Sequence, residues 1–277
     1  MSLATLADVL QPAYGKGGAV AGLVCLGWED MRAYAQAAEA ENSPVILQAG
    51  PSCRAHTPLA VLGPMMRWLA DSVSVPVVVH LDHGYTREEC EQAIAAGFTS
   101  VMFDGSRLPL EENIEQTRAI AKLAHSAGVS CEGEIGFVGY AGGAQSNGTD
   151  PQEAAQFARE TGVDAVAISV GNVHLQTDAS EGLDEERISA IEAVTDVPLV
   201  IHGGSGVPTE QRARLARETA ICKFNIGTQL RQQFGRALRQ SLADQPDAYD
   251  RVTLMKPIEE PIFEAAREVL KGLRGES

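Results

Sequence analysis

PVVVHLDHGYTREECEQAIAAGFTSVMFDGS, residues Pro76 to Ser106, is the stretch that decides the fold. Pro76–Leu81 is almost continuously apolar, Arg87–Ala96 reads as a helix that stops at Gly97, and Ser100–Phe103 is apolar again. An apolar run without polar alternation is a strand covered on both faces, and a helix between two such strands makes them parallel neighbours. Each run ends in polar groups, His80-Leu81-Asp82-His83-Gly84 after the first and Asp104-Gly105-Ser106 after the second.

The same unit recurs on both sides of this stretch. Upstream lie Ala19–Leu26 with a helix over Glu29–Glu41, and Pro44–Leu47 with a helix near Pro58–Ser72. Downstream come a helix over Leu110–Ala127, a strand over Ser130–Ile135, a helix over Pro151–Thr161 and a strand over Ala165–Val170. A helix near Asp184–Val194 and strands over Pro198–Ile201 and Ile221–Ile226 complete the series. Thr57-Pro58, Asp150-Pro151 and Pro208 read as helix starts, and Gly97, Gly128 and Gly162 as helix stops. Eight strand–helix units predict an α/β fold, a (β/α)8 TIM barrel forming one domain over residues 1–277 with a C-terminal helical extension. The competing fold is an open doubly wound sheet, but no GxGxxG follows the first strand.

Composition agrees and excludes several functions. In 277 residues the apolar fraction is 44%, enough for one large core. The net charge of −15 argues against a nucleic-acid partner, and it means that an anionic substrate needs a local cationic or dipolar pocket. No apolar run reaches the ~18 to 20 residues of a membrane span, and Met1–Val9 lacks the pattern of a signal peptide. The five cysteines, odd in number and without a CxxC pair, read as free thiols of a cytoplasmic protein.

In such a barrel the chemistry sits at the C-terminal ends of the strands. Besides the two ends quoted above, these are Glu132-Gly133-Glu134, Gly171-Asn172-Val173-His174, His202-Gly203-Gly204-Ser205-Gly206 and Asn225-Ile226-Gly227-Thr228. Of six histidines, His80, His83, His174 and His202 fall at or near strand ends. Three protein ligands that leave one position open suit a catalytic divalent metal, and imidazole suits zinc or another first-row ion. Asp104 and Glu134 could orient those histidines or bind the metal in a second position. Gly203, Gly204 and Ser205, with Gly227 and Thr228, offer backbone N–H groups for a phosphate where barrels commonly bind one. The segment Val138–Asn147 (VGYAGGAQSN) reads as a mobile loop over the site. Lys223, on the last strand, is expected to face the helix layer.

HLDHG, SVMFDGS, CEGEIG, GNVH, IHGGSG and KFNIGT occur in this order between about Ala19 and Leu230. In order and spacing they resemble the class II ketose-bisphosphate aldolases, the zinc-dependent fructose- and tagatose-bisphosphate enzymes. The resemblance implies that His83, His174 and His202 hold the catalytic zinc and that Asp82 exchanges a proton with the nascent hydroxyl. It implies that Asp104 and Glu134 serve a second or alternate metal position and that Asn225 steadies the enediolate. Gly203, Ser205, Gly227 and Thr228 match positions holding the C1 phosphate, often with a monovalent cation nearby. The implied reaction is reversible retro-aldol cleavage of a ketose, phosphorylated or otherwise anionic, to a dihydroxyacetone-type ketone and an aldehyde, in a homodimer or homotetramer.

The chain departs from that pattern at the substrate rather than the metal. Leu175 stands where the family has glycine, Leu23-Val24-Cys25-Leu26 where it has asparagine, and Gly50-Pro51 where it often has serine. The Val138–Asn147 loop carries no acid, and a DPRK-type motif is reduced to Asp250-Arg251 ahead of Lys256-Pro257. These departures predict a donor other than fructose 1,6-bisphosphate, such as a ketose 1-phosphate, a sulfonated or an unphosphorylated ketose. A metal-dependent sugar isomerase or epimerase on the same barrel is the alternative enzyme. It needs a base on each face of the sugar, whereas only Asp82 is evident. A sugar-binding protein with a structural metal is the non-enzyme alternative, and such metals normally have four protein ligands.

Overall fold

Alternation along each strand sorts the interior of the molecule into layers. The structure is a computed structural model and describes residues 2–177 and 182–274. Its strands are β1 (Leu3–Ala4), β2 (Val20–Cys25), β3 (Val45–Ala49), β4 (Val77–Gly84), β5 (Ser100–Phe103), β6 (Ser130–Ile135), β7 (Ala165–Ile168), β8 (Leu199–Ile201) and β9 (Ile221–Ile226). Strands β2 to β9 pair in parallel with their sequence neighbours, and β2 also pairs with β9, so these eight close into the expected barrel. The short β1 adds to the foot of β4.

Outward-facing residues such as Leu47, Val79, Leu81, Val101, Phe103, Val166, Ile168, Phe224 and Ile226 are buried in the core shared with the helices. Each such side chain contributes about 1.5–3 kcal/mol when fully buried, so this outer shell carries the hydrophobic stabilisation. The barrel foot is a second apolar cluster of Val20, Ile46, Val78, Ala165, Ala167, Val200 and Cys222, plugged by Leu6, Val9 and Leu10 of the N-terminal helix. Two residues further along the strands come Gly22, Gln48, His80, Glu132 and His202, and two further again Val24, Gly50, Asp82 and Glu134. The upper interior is thus polar by strand parity.

Lys223 belongs to this interior, contrary to the expectation that it faces the helices. The β8–β9 register passes from Leu199↔Ile221 to Val200↔Lys223, which makes Cys222 a bulge and turns both Cys222 and Lys223 inward. Other differences are local. Strand β4 runs on through Gly84 instead of ending at Leu81. The helix expected from Pro58 is preceded by a short one over Pro51–His56, opened by Pro51 in its first turn. Thr57 closes that short helix, and Pro58, not Thr57, is the N-cap of Leu59–Asp71. Gly97, Gly128 and Gly162 do adopt left-handed φ where helices end. No helix among the described residues is long and apolar enough to cross a membrane.

Candidate active site and metal centre

The strand that opened the sequence reading also carries the first site residues. Asp82 and His83 are adjacent, so in a regular strand only one could face the pocket. The chain solves this at His83 itself, whose φ is +53°, and the β4–β5 register shifts between Leu81 and Gly84. A left-handed residue with a Cβ costs about 1–2 kcal/mol, and Arg54 supplies the restraint. Its guanidinium donates to the carbonyls of Asp82 (2.8 Å) and His83 (2.5 Å) and pairs with Glu89 (3.3 Å). Glu89 in turn accepts from the Tyr85 N–H at 2.7 Å. Asp82 and His83 therefore sit on a clamped turn, and both line one cavity.

His83, His174 and His202 converge, each offering a ring nitrogen, with all three nitrogens within 4.8 Å of one another. Their rings lie edge-on or tilted, at centroid distances of 4.8 to 5.7 Å. His83, Asp104 and Glu134 form a second group within the same limit and share His83 with the first. Asp104 takes His83 Nδ1 at 2.7 Å, while its other oxygen is held by Ser106 at 2.6 Å. His202 Nε2 meets Glu132 Oε1 at 3.0 Å, which leaves Nδ1 facing Glu134 Oε2 at 3.3 Å. That contact lacks hydrogen-bond geometry, so both atoms are buried without a partner. Two orphaned buried polar atoms between three imidazoles and two carboxylates fit a divalent cation.

Electrostatics supports that fit. Burial opposes a charge on His202, but Glu132 and Glu134 outweigh it and push its pKa up to about 10. Burial, with His83 and His202 beside it, pushes His174 down to about 3. Burial alone would raise the Asp82 carboxyl, yet His83 and His202 hold it below its ordinary value. The site therefore gathers carboxylates around its imidazoles, and a bound cation would take the place of the proton that Glu132 and Glu134 favour on His202.

Beneath it lies a buried ionic layer. Lys223 Nζ donates to Glu132 Oε2 at 2.6 Å and lies 3.3 Å from His80 Nε2, with no exposure at any of the three side chains. Glu132 thereby links Lys223 to His202 and fixes the ring's tautomer. Burial and Lys223 push His80 down to about 3, and His80 Nδ1 rests on Ser100 Oγ at 2.8 Å. Gly22 is required here, because a Cβ would fall 2.1 Å from Gln48 Oε1. Removing one member of a buried pair strands the other, at about 3–5 kcal/mol. Lys223→Met is accordingly expected to lower unfolding free energy by about that amount in urea titration. The double change Glu132→Gln with Lys223→Met should recover part of it, and a loss under ~1 kcal/mol for the single change contradicts the pairing.

The cavity above the histidines has a volume of about 430 Å³. Asp82, His83, His174, Gly203, Ser205, Asn225, Gly227 and Thr228 all line it. Gly204 does not: it is buried, and a Cβ there would meet Ile226 and the Asn225 carbonyl. Asp104, Glu134 and His202 are not part of its lining. Ser205 Oγ accepts from the N–H groups of Gly227 (3.1 Å) and Gln229 (3.4 Å), which ties the two glycine turns together. Asn225 Nδ2 reaches Asp82 Oδ1 at 3.4 Å. The departures noted in the sequence are also here, as Val24, Gly50 and Leu175. A larger groove of about 810 Å³ between Trp28, Arg251 and Phe263 holds none of these residues.

The acid-free loop contributes an aromatic ring instead. Tyr140 stacks on His174 at 4.8 Å and is joined to it by a backbone bridge, while Tyr85 stacks on His83 at 6.4 Å. Burial raises the pKa of both tyrosines. Arg54, the two tyrosines and the Lys223–Glu132 pair escaped the sequence reading. Parity could have found the pair, since Glu132 and Lys223 each stand two residues before a residue assigned to the site.

A closed parallel barrel with three converging histidines at its C-terminal rim defines an enzyme site suited to a divalent cation. The chain belongs to the family described as "Fructose-bisphosphate aldolase class-II", whose sequence model matches residues 4–276. It is an aldolase, a carbon–carbon lyase that performs retro-aldol cleavage. It is 37% identical over 267 residues to 6-phospho-5-dehydro-2-deoxy-D-gluconate aldolase of Bacillus licheniformis, covering 93% of this chain and 90% of that one. It is 36% identical over 267 residues to fructose-bisphosphate aldolase of Geobacillus stearothermophilus, covering 93% and 92%. The crystal structure of the YdjI aldolase of Escherichia coli K12 superposes with a TM-score of 0.84 at 29% identity, covering 99% of this chain and 98% of that one.

Proposed function

We propose that this aldolase works through a divalent metal, zinc or another first-row ion, held by His83, His174 and His202. Asp104 and Glu134 would serve as its second or alternate position. Such an ion, when bound, withdraws electrons from the ketose carbonyl and so stabilises the negative charge that develops as the carbon–carbon bond breaks. The chain's own residues do the rest. Asp82 faces the cavity from the clamped turn and moves the proton at the nascent hydroxyl. Asn225, between Asp82 and the glycine turns, orients the ketone fragment. Gly203, Ser205, Gly227 and Thr228 bind its phosphate, with room in the proposal for a monovalent cation beside them. The Tyr85–Tyr140 pair walls off His83 and His174 from water.

The donor we propose is a ketose other than fructose 1,6-bisphosphate. The observation that carries this is the lining of the cavity by Val24, Gly50 and Leu175, the positions where the sequence departs from the family pattern. Identity to relatives does not decide the matter, since one at 37% is named for 6-phospho-5-dehydro-2-deoxy-D-gluconate and one at 36% for fructose bisphosphate. Steady-state kinetics of the zinc-loaded protein on fructose 1,6-bisphosphate, a ketose 1-phosphate, a sulfonated and an unphosphorylated ketose tests the reading. The highest kcat/KM is expected for one of the last three; the highest for fructose 1,6-bisphosphate contradicts it. The net charge of −15 and the absence of a spanning helix among the described residues support a cytoplasmic protein that uses neither nucleic acid nor membrane. A homodimer or homotetramer belongs to the same proposal.

A further inference from the structure

Cleavage of a ketose moves two protons. The hydroxyl on the aldehyde half loses one as its C=O bond forms, and Asp82 serves that transfer. The ketone half keeps the electron pair of the broken bond and must gain a proton at carbon before it leaves as a neutral ketone. Among the described residues lining the cavity, the titratable side chains are Asp82, His83, Tyr85, Tyr140, His174 and Arg231. His83 and His174 offer their ring nitrogens to the cation site, and a guanidinium does not deprotonate in a protein. The two phenols are then the strongest proton donors left on the wall.

Tyr140 is the better placed of the two. It is half-buried, whereas Tyr85 is 46% exposed. Its ring lies on that of His174 at 4.8 Å with 26° between the planes, while Tyr85 stands off from His83 at 6.4 Å. The backbone on both sides of Tyr140 is tied to the same histidine. His174 N–H donates to the Gly139 carbonyl at 2.8 Å, and Ala141 N–H donates to the His174 carbonyl at 2.9 Å. The loop is closed on its other side as well. Gly139 N–H donates to Ser146 Oγ at 3.0 Å, and that hydroxyl donates to the Asn172 carbonyl at 3.2 Å. At the loop's foot Phe137 and Asn147 exchange two backbone hydrogen bonds of 2.8 Å, and Arg107 lies over the Phe137 ring. A proton donor must be held within hydrogen-bond reach of the reacting atom, and this bracing to His174 provides the restraint. In Val138–Asn147 no side chain other than Tyr140 carries an ionisable proton.

We propose that Tyr140 is a second catalytic residue, the general acid that delivers the proton to the carbon of the ketone half and takes it back in the direction of synthesis. The inference rests on the reading of this cavity as the aldolase site with Asp82 at the hydroxyl. In cleavage the carbon–carbon bond breaks, its electron pair stays on the ketone half, the phenol O–H bond breaks and a C–H bond forms. The phenolate regains a proton from solvent, and Asp82 returns to solvent the one it took from the hydroxyl. The two transfers balance, and no oxidant, reductant or further reactant enters.

The test follows the carbon proton by itself. Wild type, Tyr140→Phe and Tyr85→Phe are zinc-loaded, with zinc content and urea midpoint checked for each. Solvent deuterium exchange into dihydroxyacetone phosphate and into dihydroxyacetone is recorded by NMR with no aldehyde present. Tyr140→Phe should slow exchange by about 10²- to 10³-fold, and Tyr85→Phe by less than about tenfold. Cleavage of fructose 1-phosphate and of fructose is followed in parallel, with and without hexacyanoferrate(III), which oxidises the ketone half before it is protonated. In Tyr140→Phe the oxidant should raise aldehyde release severalfold, because bond breaking survives and only the protonation is slow. In wild type it should change the rate little. Exchange in Tyr140→Phe within about threefold of an active wild type gives the proton to solvent or another group and overturns the role of Tyr140 alone. Slow cleavage in Tyr140→Phe that the oxidant does not rescue overturns it too, since lost packing around His174 then accounts for the defect. A wild type that exchanges or cleaves none of these ligands sinks the reading of a dihydroxyacetone-type donor, and the role of Tyr140 with it.

Discussion

Chelation of divalent metal is expected to lower carbon–carbon cleavage by about 10³-fold or more, with recovery on adding zinc or cobalt. Among the described residues, His83, His174 and His202 are the group suited to hold a cation against the charge that develops at the ketose carbonyl. Among the described residues lining the cavity Arg231 is the only arginine or lysine, and Lys223 lies below the histidines, spent on Glu132 at 2.6 Å. A bound cation supplies several kcal/mol of transition-state stabilisation, and each 1.36 kcal/mol is a factor of ten. The assay is initial rate after dialysis against a chelator, followed by titration with each metal. Full activity in the dialysed protein contradicts the metal reading. A Schiff-base route through Lys223 would survive chelation, and its burial beneath the site argues against one.

Asp82→Asn is expected to lower kcat by about 10²- to 10⁴-fold while metal content and the urea midpoint stay close to wild type. The substitution keeps the shape of the side chain and its contact with Asn225 but removes the carboxylate that carries the proton. Asp82 is 5% exposed and on the cavity wall, whereas Asp104 and Glu134 are outside its lining, beside His83 and His202. The loss should fall on kcat more than on KM, because a proton in flight belongs to the transition state. Turnover retained within about threefold would remove Asp82 from the chemistry.

Much of the architecture was legible because burial on both strand faces writes nearly continuous apolar runs, and eight of them alternate with helices. The strand-end histidines and acids were legible for the complementary reason: a packed core rejects them, so their recurrence at six ends needs another cause. What parity could not show was the behaviour of the chain where strands stop being regular. Asp82 and His83 share the pocket through a left-handed His83, a conformation that strand alternation does not announce. Arg54, which pins that turn, comes from a short helix after β3 and meets it only in three dimensions. Cys222 and Lys223 both face inward because of a bulge, so reading alternation from Cys222 misplaces the lysine, whereas reading back from Asn225 places it correctly. Arg231, on the helix after β9, reaches the cavity lining only through the fold. The stacking of Tyr140 on His174 likewise depends on the path of the Val138–Asn147 loop.

The central claim, that His83, His174 and His202 form one metal centre, is tested most directly by a zinc-soaked crystal with anomalous diffraction recorded on both sides of the zinc edge. The predicted result is a peak within bonding distance, about 2.0–2.1 Å, of a ring nitrogen from each of the three histidines. His202 should bind through Nδ1, with Glu132 still on its Nε2. A zinc peak elsewhere, or one at this rim that leaves any of the three rings uncoordinated, contradicts it.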